Sequence, residues 1–299
     1  NVRVFKEAAV YPITFLSNKL NNNEFVKLGV MDSLLTYAWH NNIEKQKFYN
    51  SQKWDSFFAK DDVTVNIINN MLINLSLGEI AEVKGAATVS EAYKIKELIK
   101  DEVDYDYKIH LKFINTGTID RYVSLWDKGK TQYIKRGYYS PVIEKHDLKE
   151  MSPKRYIEST NSKIIVGGMT KVLECYYDEG IYLAGKSTVI ICNSKVSLKY
   201  LMGVLNSKLL SKFYKTYFNS LSLAGGFYRI GAPQIKQLPI AIGNQCQIDE
   251  VVEYVERIQQ CVIENKNDEI FDLESKIDEL VYNIYGLSSD EMRMMQESH

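Results

Sequence analysis

The sequence predicts an α+β fold: a mixed-sheet domain with a central helix, followed by a C-terminal antiparallel helical hairpin. Three observations carry that expectation. Between residues 110 and 192, short apolar stretches alternate with glycine-bearing turns, as strands do. From 197 to 218, Leu201, Val204, Leu205, Leu209 and Phe213 fall at helical spacing, with Lys199, Lys208, Lys212 and Lys215 on other faces. Near the end, Ile248, Val251, Val255, Ile258 and Val262 step by three and four, and Ile270, Leu273, Ile277, Leu280 and Ile284 repeat the pattern after "NKND".

Element by element, "VRVFKEAAVYPITFLSN" near the start reads as two short strands with a turn at Tyr11-Pro12. Residues 30 to 75 read as amphipathic helices, with Asp61-Asp62 at a helix start that the N-terminal dipole favours. Strands are predicted at 110–115, 132–135, 163–167, 172–176 and 187–192, punctuated by Gly85, Gly117, Gly129, Gly137, Gly167-Gly168 and Gly180. The terminal hairpin carries one narrow apolar seam per helix, the form of an intramolecular clamp more than of a dimer interface. A last short helix is expected from Ser288, with Glu291 at capping-box spacing. The domain boundaries this implies are 1–75, 76–243 and 244–299.

Composition narrows the function. At 299 residues, 45% hydrophobic and 25% charged, the chain has room for two domains and a sizeable core. No apolar run approaches the ~20 residues of a membrane span, and no signal peptide is visible. Cys175, Cys192, Cys246 and Cys261 stand far apart without a Cys-x-x-Cys, which points to a reducing, cytoplasmic setting without zinc or disulfides. The chain opens on Asn1 and runs at once into strand-like sequence, the expectation for a piece of a longer protein. The net charge of −1 conceals a strong asymmetry. Residues 180–246 hold eight Lys or Arg and no acid, whereas residues 247–299 hold four Lys or Arg against fourteen Asp or Glu. That pattern predicts a surface facing a polyanion, joined to a solvated support.

Catalytic constellations are thin. "GIYLAGKS" (180–187) satisfies the phosphate-loop pattern, but Ile-Tyr-Leu-Ala and the following "TVIIC" are strand-formers, and no helix follows to cradle phosphate. A hairpin with Lys186 and Ser187 on its turn is the better reading. His40, His110, His146 and His299 lack ligand-like spacing, and no G-x-S-x-G occurs. The segment "GGFYRIGAPQIKQLPI" (225–240) differs from both: three glycines, two prolines, an aromatic–arginine pair, and no carboxylate.

Several motifs in one order then carry a resemblance. "INTGTIDRYVSLW" (114–126), "KIIVGGMTK" (163–171), "LMGVLNSKLLSKFY" (201–214) and "YRIGAPQIKQLPI" (228–240) resemble the TaqI-like C-terminal specificity region of adenine-specific DNA methyltransferases, including the fused type IIG restriction–modification enzymes. "LESKIDELVYNIYGLSSDEM" (273–292) is similar to the usual end of such chains. "LGEIAEVKGAATVSEA" (77–92) is similar to the opening of a target-recognition domain, as also in type I specificity subunits, and "VFKEAAVYPITFLSNK" (4–19) to the last strands of the methyltransferase domain. The family's Asn-Pro-Pro-aromatic tetrapeptide and glycine-rich S-adenosylmethionine loop are absent, as is any nuclease motif. The resemblance therefore implies a parent that flips and methylates an adenine with S-adenosylmethionine, and whose fusion to a nuclease stays open. This chain is expected to hold no cofactor and no catalytic residue, and to read double-stranded DNA beside a separate N-terminal methyltransferase domain. A type I specificity subunit is the alternative, although no internal repeat is present. A helical-hairpin assembly module without DNA binding is a further one.

Residues expected at the DNA follow from chemistry. Cations neutralise phosphates, while a smaller set of side chains reaches base edges. Arg229 is the first base-edge candidate, because glycines flank it and Tyr228 can stack beside it. Arg121 and Tyr122, after the "NTGT" turn, are the second. Lys171 and Lys186 are assigned to phosphate, with Thr170 and Ser187 as hydroxyl donors, and Lys135 and Arg136 are added on charge. The competing readings are a structural salt bridge for Arg229, a bridge to Asp120 or Asp127 for Arg121, and a solvated edge for Lys135 and Arg136. Asn206-Ser207, inside the helix, is expected to make a structural contact.

Overall fold

The computed structural model describes residues 24–31, 37–50, 62–101 and 104–297. Strands β1 (Phe25–Met31) and β2 (Tyr37–Glu44) pair antiparallel and lead into helix α1 (Lys45–Asn50). Helix throughout 30–75 is thereby corrected: "YAWHNNIE" holds strand-formers only at Tyr37, Trp39 and Ile43, and the antiparallel partner strand decides in favour of extension. The two strands expected before residue 20 lie outside the described residues. Helix α2 (Asp62–Met71) does form, burying Ile67, Ile68 and Met71.

The next segments build two sheets. Strand β3 (Leu75–Ser76), α3 (Leu77–Ile80) and β4 (Glu82–Gly85) precede α4 (Val89–Leu98), which Thr88 and Glu91 cap reciprocally. There follow β5 (His110–Ile114), β6 (Ile119–Asp120), β7 (Val123–Ser124), β8 (Thr131–Tyr133), β9 (Arg136–Tyr138) and β10 (Val142–Glu144). Helices α5 (Lys145–Met151) and α6 (Pro153–Thr160) lead to β11 (Lys163–Gly167), β12 (Met169–Thr170), β13 (Cys175–Asp178), β14 (Tyr182–Ala184) and β15 (Thr188–Cys192). One sheet is antiparallel, in the order β13-β11-β15-β4; the other, β10-β5-β14, is mixed because β14 runs parallel to β5. Every residue of β11 is buried, which explains its continuous rather than alternating apolar run.

Two predicted strands change character. The stretch 132–135 is a hairpin: β8 and β9 pair around Ile134 and Lys135, both at positive φ, the backbone of a two-residue turn. The phosphate-loop pattern 180–187 is strand–turn–strand, as its side chains dictate, yet β14 and β15 join different sheets and form a corner rather than the expected hairpin. The strand expected at 172–176 sits slightly later, at β13.

The central helix is two helices. Helix α7 (Leu198–Asn206) stops at Ser207, which starts α8 (Lys208–Tyr217) by accepting a hydrogen bond from the Leu210 amide. Asn206, fully buried, bonds both backbone groups of Cys175, accepting at 2.8 Å and donating at 2.9 Å. It is a structural contact, as its position in the helix indicates. Then come β16 (Tyr228–Arg229), α9 (Ala232–Ile235) and β17 (Pro239–Ile240), which pairs back to β3.

The C-terminal hairpin forms as expected from α10 (Gln245–Glu264) and α11 (Asn267–Ile284), turning at Asn265 in the left-handed region. Its seam covers α7: a Cβ on Gly203 would stand 2.6 Å from Val251, so only glycine permits this approach. Val251, Val255, Ile258, Leu273 and Ile277 join the same core as Leu201 and Leu205, so the hairpin clamps the domain. Helix α12 (Ser289–Glu297) begins with the Ser288–Glu291 capping box. No described helix is long and apolar enough to cross a membrane.

Candidate nucleic-acid interface

The glycine-rich segments "GGMTK" (167–171) and "GGFYR" (225–229), distant in the chain, are partners. In β12 and β16, Met169 lies opposite Arg229 and Thr170 opposite Tyr228. The chain reaches β16 through a tight turn in which Gly225 and Gly226 both have φ near +78°, a backbone that side chains rarely adopt. Beyond that turn Ser222 bridges to Tyr228, and the Leu223 amide bonds the Phe227 carbonyl. The glycines that frame Phe227, Tyr228 and Arg229 thus make a small antiparallel ribbon.

Strand alternation sorts its side chains. Thr170 and Tyr228 face inward: Thr170 is 3% exposed, with its hydroxyl given to the Val172 carbonyl, and Tyr228 meets Tyr214 edge-on. Met169, Lys171, Phe227 and Arg229 face outward. Met169 is 49% and Phe227 38% exposed, and the Lys171 ammonium lies 5.4 Å from the centre of the Phe227 ring. Arg229 has no ion-pair partner among the described residues, and its carbonyl accepts from the Tyr214 hydroxyl at 2.9 Å. Among the described residues, then, no carboxylate pairs with this arginine, while its backbone is pinned.

Other loops gather at the ribbon, and the "NTGT" turn joins them. The Thr116 hydroxyl donates to the Ser187 carbonyl and accepts from the Gly168 amide at 3.0 Å, while Asn115 donates to the Gln132 carbonyl at 2.9 Å. The corner that carries exposed Lys186 and Ser187 is pressed so closely on the ribbon that a Cβ on Gly168 would fall 2.1 Å from the Ser187 carbonyl oxygen. Lys135 and Arg136 lie on the exposed β8–β9 turn, with Arg136 over the Tyr138 ring at 5.0 Å. On α8, burial and the neighbouring Lys212 hold the Lys215 ammonium below its usual range.

Two expected residues are elsewhere. Tyr122 is 2% exposed in the main core with φ +65°, so it presents nothing to a ligand. Arg121 points to the hairpin and pairs with Glu274 at 2.6 Å, neither with Asp120 or Asp127 nor toward the ribbon. Burial raises the Glu274 carboxyl, and Arg121 counters that. Thr170 is likewise withdrawn, its hydroxyl already used. Sequence reading missed Thr116, Met169 and Phe227. Thr116 was visible only as part of a turn, and the two apolar residues look like core until their strands are paired.

The basic stretch is also divided by the fold. Lys199 pairs with Glu256 and Lys208 with Asp278, so acids of the hairpin neutralise part of it. Lys186, Lys212, Lys215, Arg229 and Lys236 have no ion-pair partner among the described residues. Near the ribbon, Glu174 is pushed up to about 7, by burial first and then by Asp120, so its opposing charge is only partial at neutral pH.

Residues 96–240, just under half of the chain, match the TaqI-like C-terminal specificity domain, spanning the "NTGT" turn, the ribbon and the paired helices. That segment is similar to this family of specificity domains. Among solved structures, the type IIL restriction–modification enzyme MmeI in complex with DNA is similar over 75% of this chain at 11% identity, with a TM-score of 0.39. The match spans 35% of that enzyme, so this chain corresponds to about a third of its length. Comparison with curated proteins returned no match.

Proposed function

We propose that the chain reads duplex DNA as the specificity part of a restriction–modification enzyme. The observation that carries this is the ribbon face of Met169, Lys171, Phe227 and Arg229, whose cations have no ion-pair partner among the described residues and which stands beside the Lys186 corner inside the TaqI-like domain. An exposed cationic face whose arginine has its backbone held by Tyr214 suits phosphate neutralisation plus a base-edge contact. In this reading the parent is a type II adenine methyltransferase in the cytoplasm. S-adenosylmethionine and the methylating residues belong to a partner domain, since the tetrapeptide for that chemistry is absent here.

Fluorescence anisotropy with a labelled random duplex, titrated across salt, tests it. Binding should weaken by about 0.9 log units per log salt for each phosphate contact. Salt-independent binding, or none at low salt, would remove the proposal.

A further inference from the structure

The cross-strand pair Met169–Arg229 sets an apolar and a cationic side chain directly opposite each other on the exposed face of the ribbon, a geometry that phosphate binding does not require. We infer that this pair reads two neighbouring base pairs in the major groove, with Arg229 on a guanine and Met169 on the 5-methyl group of an adjacent thymine. The inference rests on the DNA reading above and names the bases that the ribbon would prefer.

Residues directly opposite on an antiparallel pair hold their Cβ atoms about 5 Å apart. Stacked bases are separated by about 3.4 Å along a strand. Two outward side chains that start this close together can reach adjacent base steps. A two-stranded ribbon is also a shape the major groove admits, and that groove alone displays both guanine O6/N7 and the thymine methyl. Arg229 can make the bidentate guanine contact because its guanidinium is unpaired among the described residues and its carbonyl is tethered to Tyr214. Met169 offers a long, adaptable apolar side chain at 49% exposure, with inward Thr170 and Tyr228 fixing the strands beneath it. Phe227, by contrast, already carries Lys171 on its ring. That leaves Met169, which carries no cation, as the methyl-sensing group.

A randomised duplex pool selected on the full 299-residue chain should return a motif containing guanine next to thymine. Replacing that thymine by deoxyuridine removes one methyl group and should weaken binding about fourfold. Met169→Ala should bind the thymine and deoxyuridine duplexes equally, and Arg229→Ala should relax the preference at the neighbouring guanine only. Both side chains are exposed, so the folded chain is retained, and circular dichroism verifies it. A motif insensitive to every deoxyuridine substitution overturns the inference while the DNA reading stands, as does a methyl effect that persists in Met169→Ala. Salt-dependent binding without any enriched motif also overturns it. No binding to any duplex overturns both, and leaves the ribbon as a contact for another protein domain.

Discussion

At the scale of single residues, two arginines that look alike in sequence have opposite roles. Arg121 and Arg229 each follow a glycine-bearing stretch and each adjoin a tyrosine. Arg121 is spent on Glu274, a largely covered carboxylate whose burial already disfavours its charge. Arg121→Ala leaves that carboxylate without its cation, and should destabilise the fold by about 1–3 kcal/mol in urea unfolding. Any effect of this variant on DNA affinity should then follow stability. Arg229→Ala should leave the unfolding midpoint unchanged, because among the described residues only its backbone is engaged. Loss of DNA selectivity without loss of stability at Arg229, and the reverse at Arg121, separates reading from scaffolding.

Elements explain why the ribbon is held where it is. Ser207 interrupts the central helix, so that α8 can turn and bring Tyr214 against Tyr228 and Arg229, while Asn206 replaces a strand partner for Cys175. Gly168 is the tightest approach of a glycine to backbone among the described residues: any side chain there meets the Ser187 carbonyl, an atom that cannot rotate away. Gly168→Ala should therefore cost about 2 kcal/mol or more of stability. It should also displace Lys186 relative to Arg229, lowering affinity for every duplex without changing base preference. Denaturant unfolding and anisotropy on the same variant check both parts. Gly225 and Gly226 serve the same ribbon by conformation rather than by space, since positive φ makes the turn possible.

Over the whole molecule, charge is organised into a support and a face. Hairpin acids pair with Lys199, Lys208 and Arg121, while Lys171 and Arg229 on the ribbon and Lys186 on the corner beside it have no ion-pair partner among the described residues. Glu174 is set within this arrangement, and its position near 7 gives stability a pH dependence. Its folded-state value is raised, so between about pH 4.3 and 7 the native state binds a proton that the unfolded chain has lost. Stability from this group is full below about 4.3 and falls as pH rises toward 7. Solvent screening at this partly exposed carboxylate reduces the loss to about 1 kcal/mol. Glu174→Gln should flatten that part of the stability profile measured by thermal melting between pH 5 and 8. An unchanged slope would show that another group is responsible.

Local and periodic features were legible in the sequence because they depend on nearest neighbours. The apolar steps of the hairpin, the Ser288–Glu291 cap, the strands at 110–115, 163–167 and 187–192, and the failure of "GIYLAGKS" as a phosphate loop all follow from side-chain spacing and propensity. The family resemblance, carried by ordered motifs, also proved legible over residues 96–240. Tertiary structure alone decided what depends on partners distant in the chain. It paired Met169 with Arg229, buried Tyr122 and Thr170, sent Arg121 to Glu274, and turned "YAWHNNIE" into strand. The physical reason is the same in each case: whether a polar or apolar side chain is free or engaged is set by the surface brought against it, and no count along the chain contains that surface.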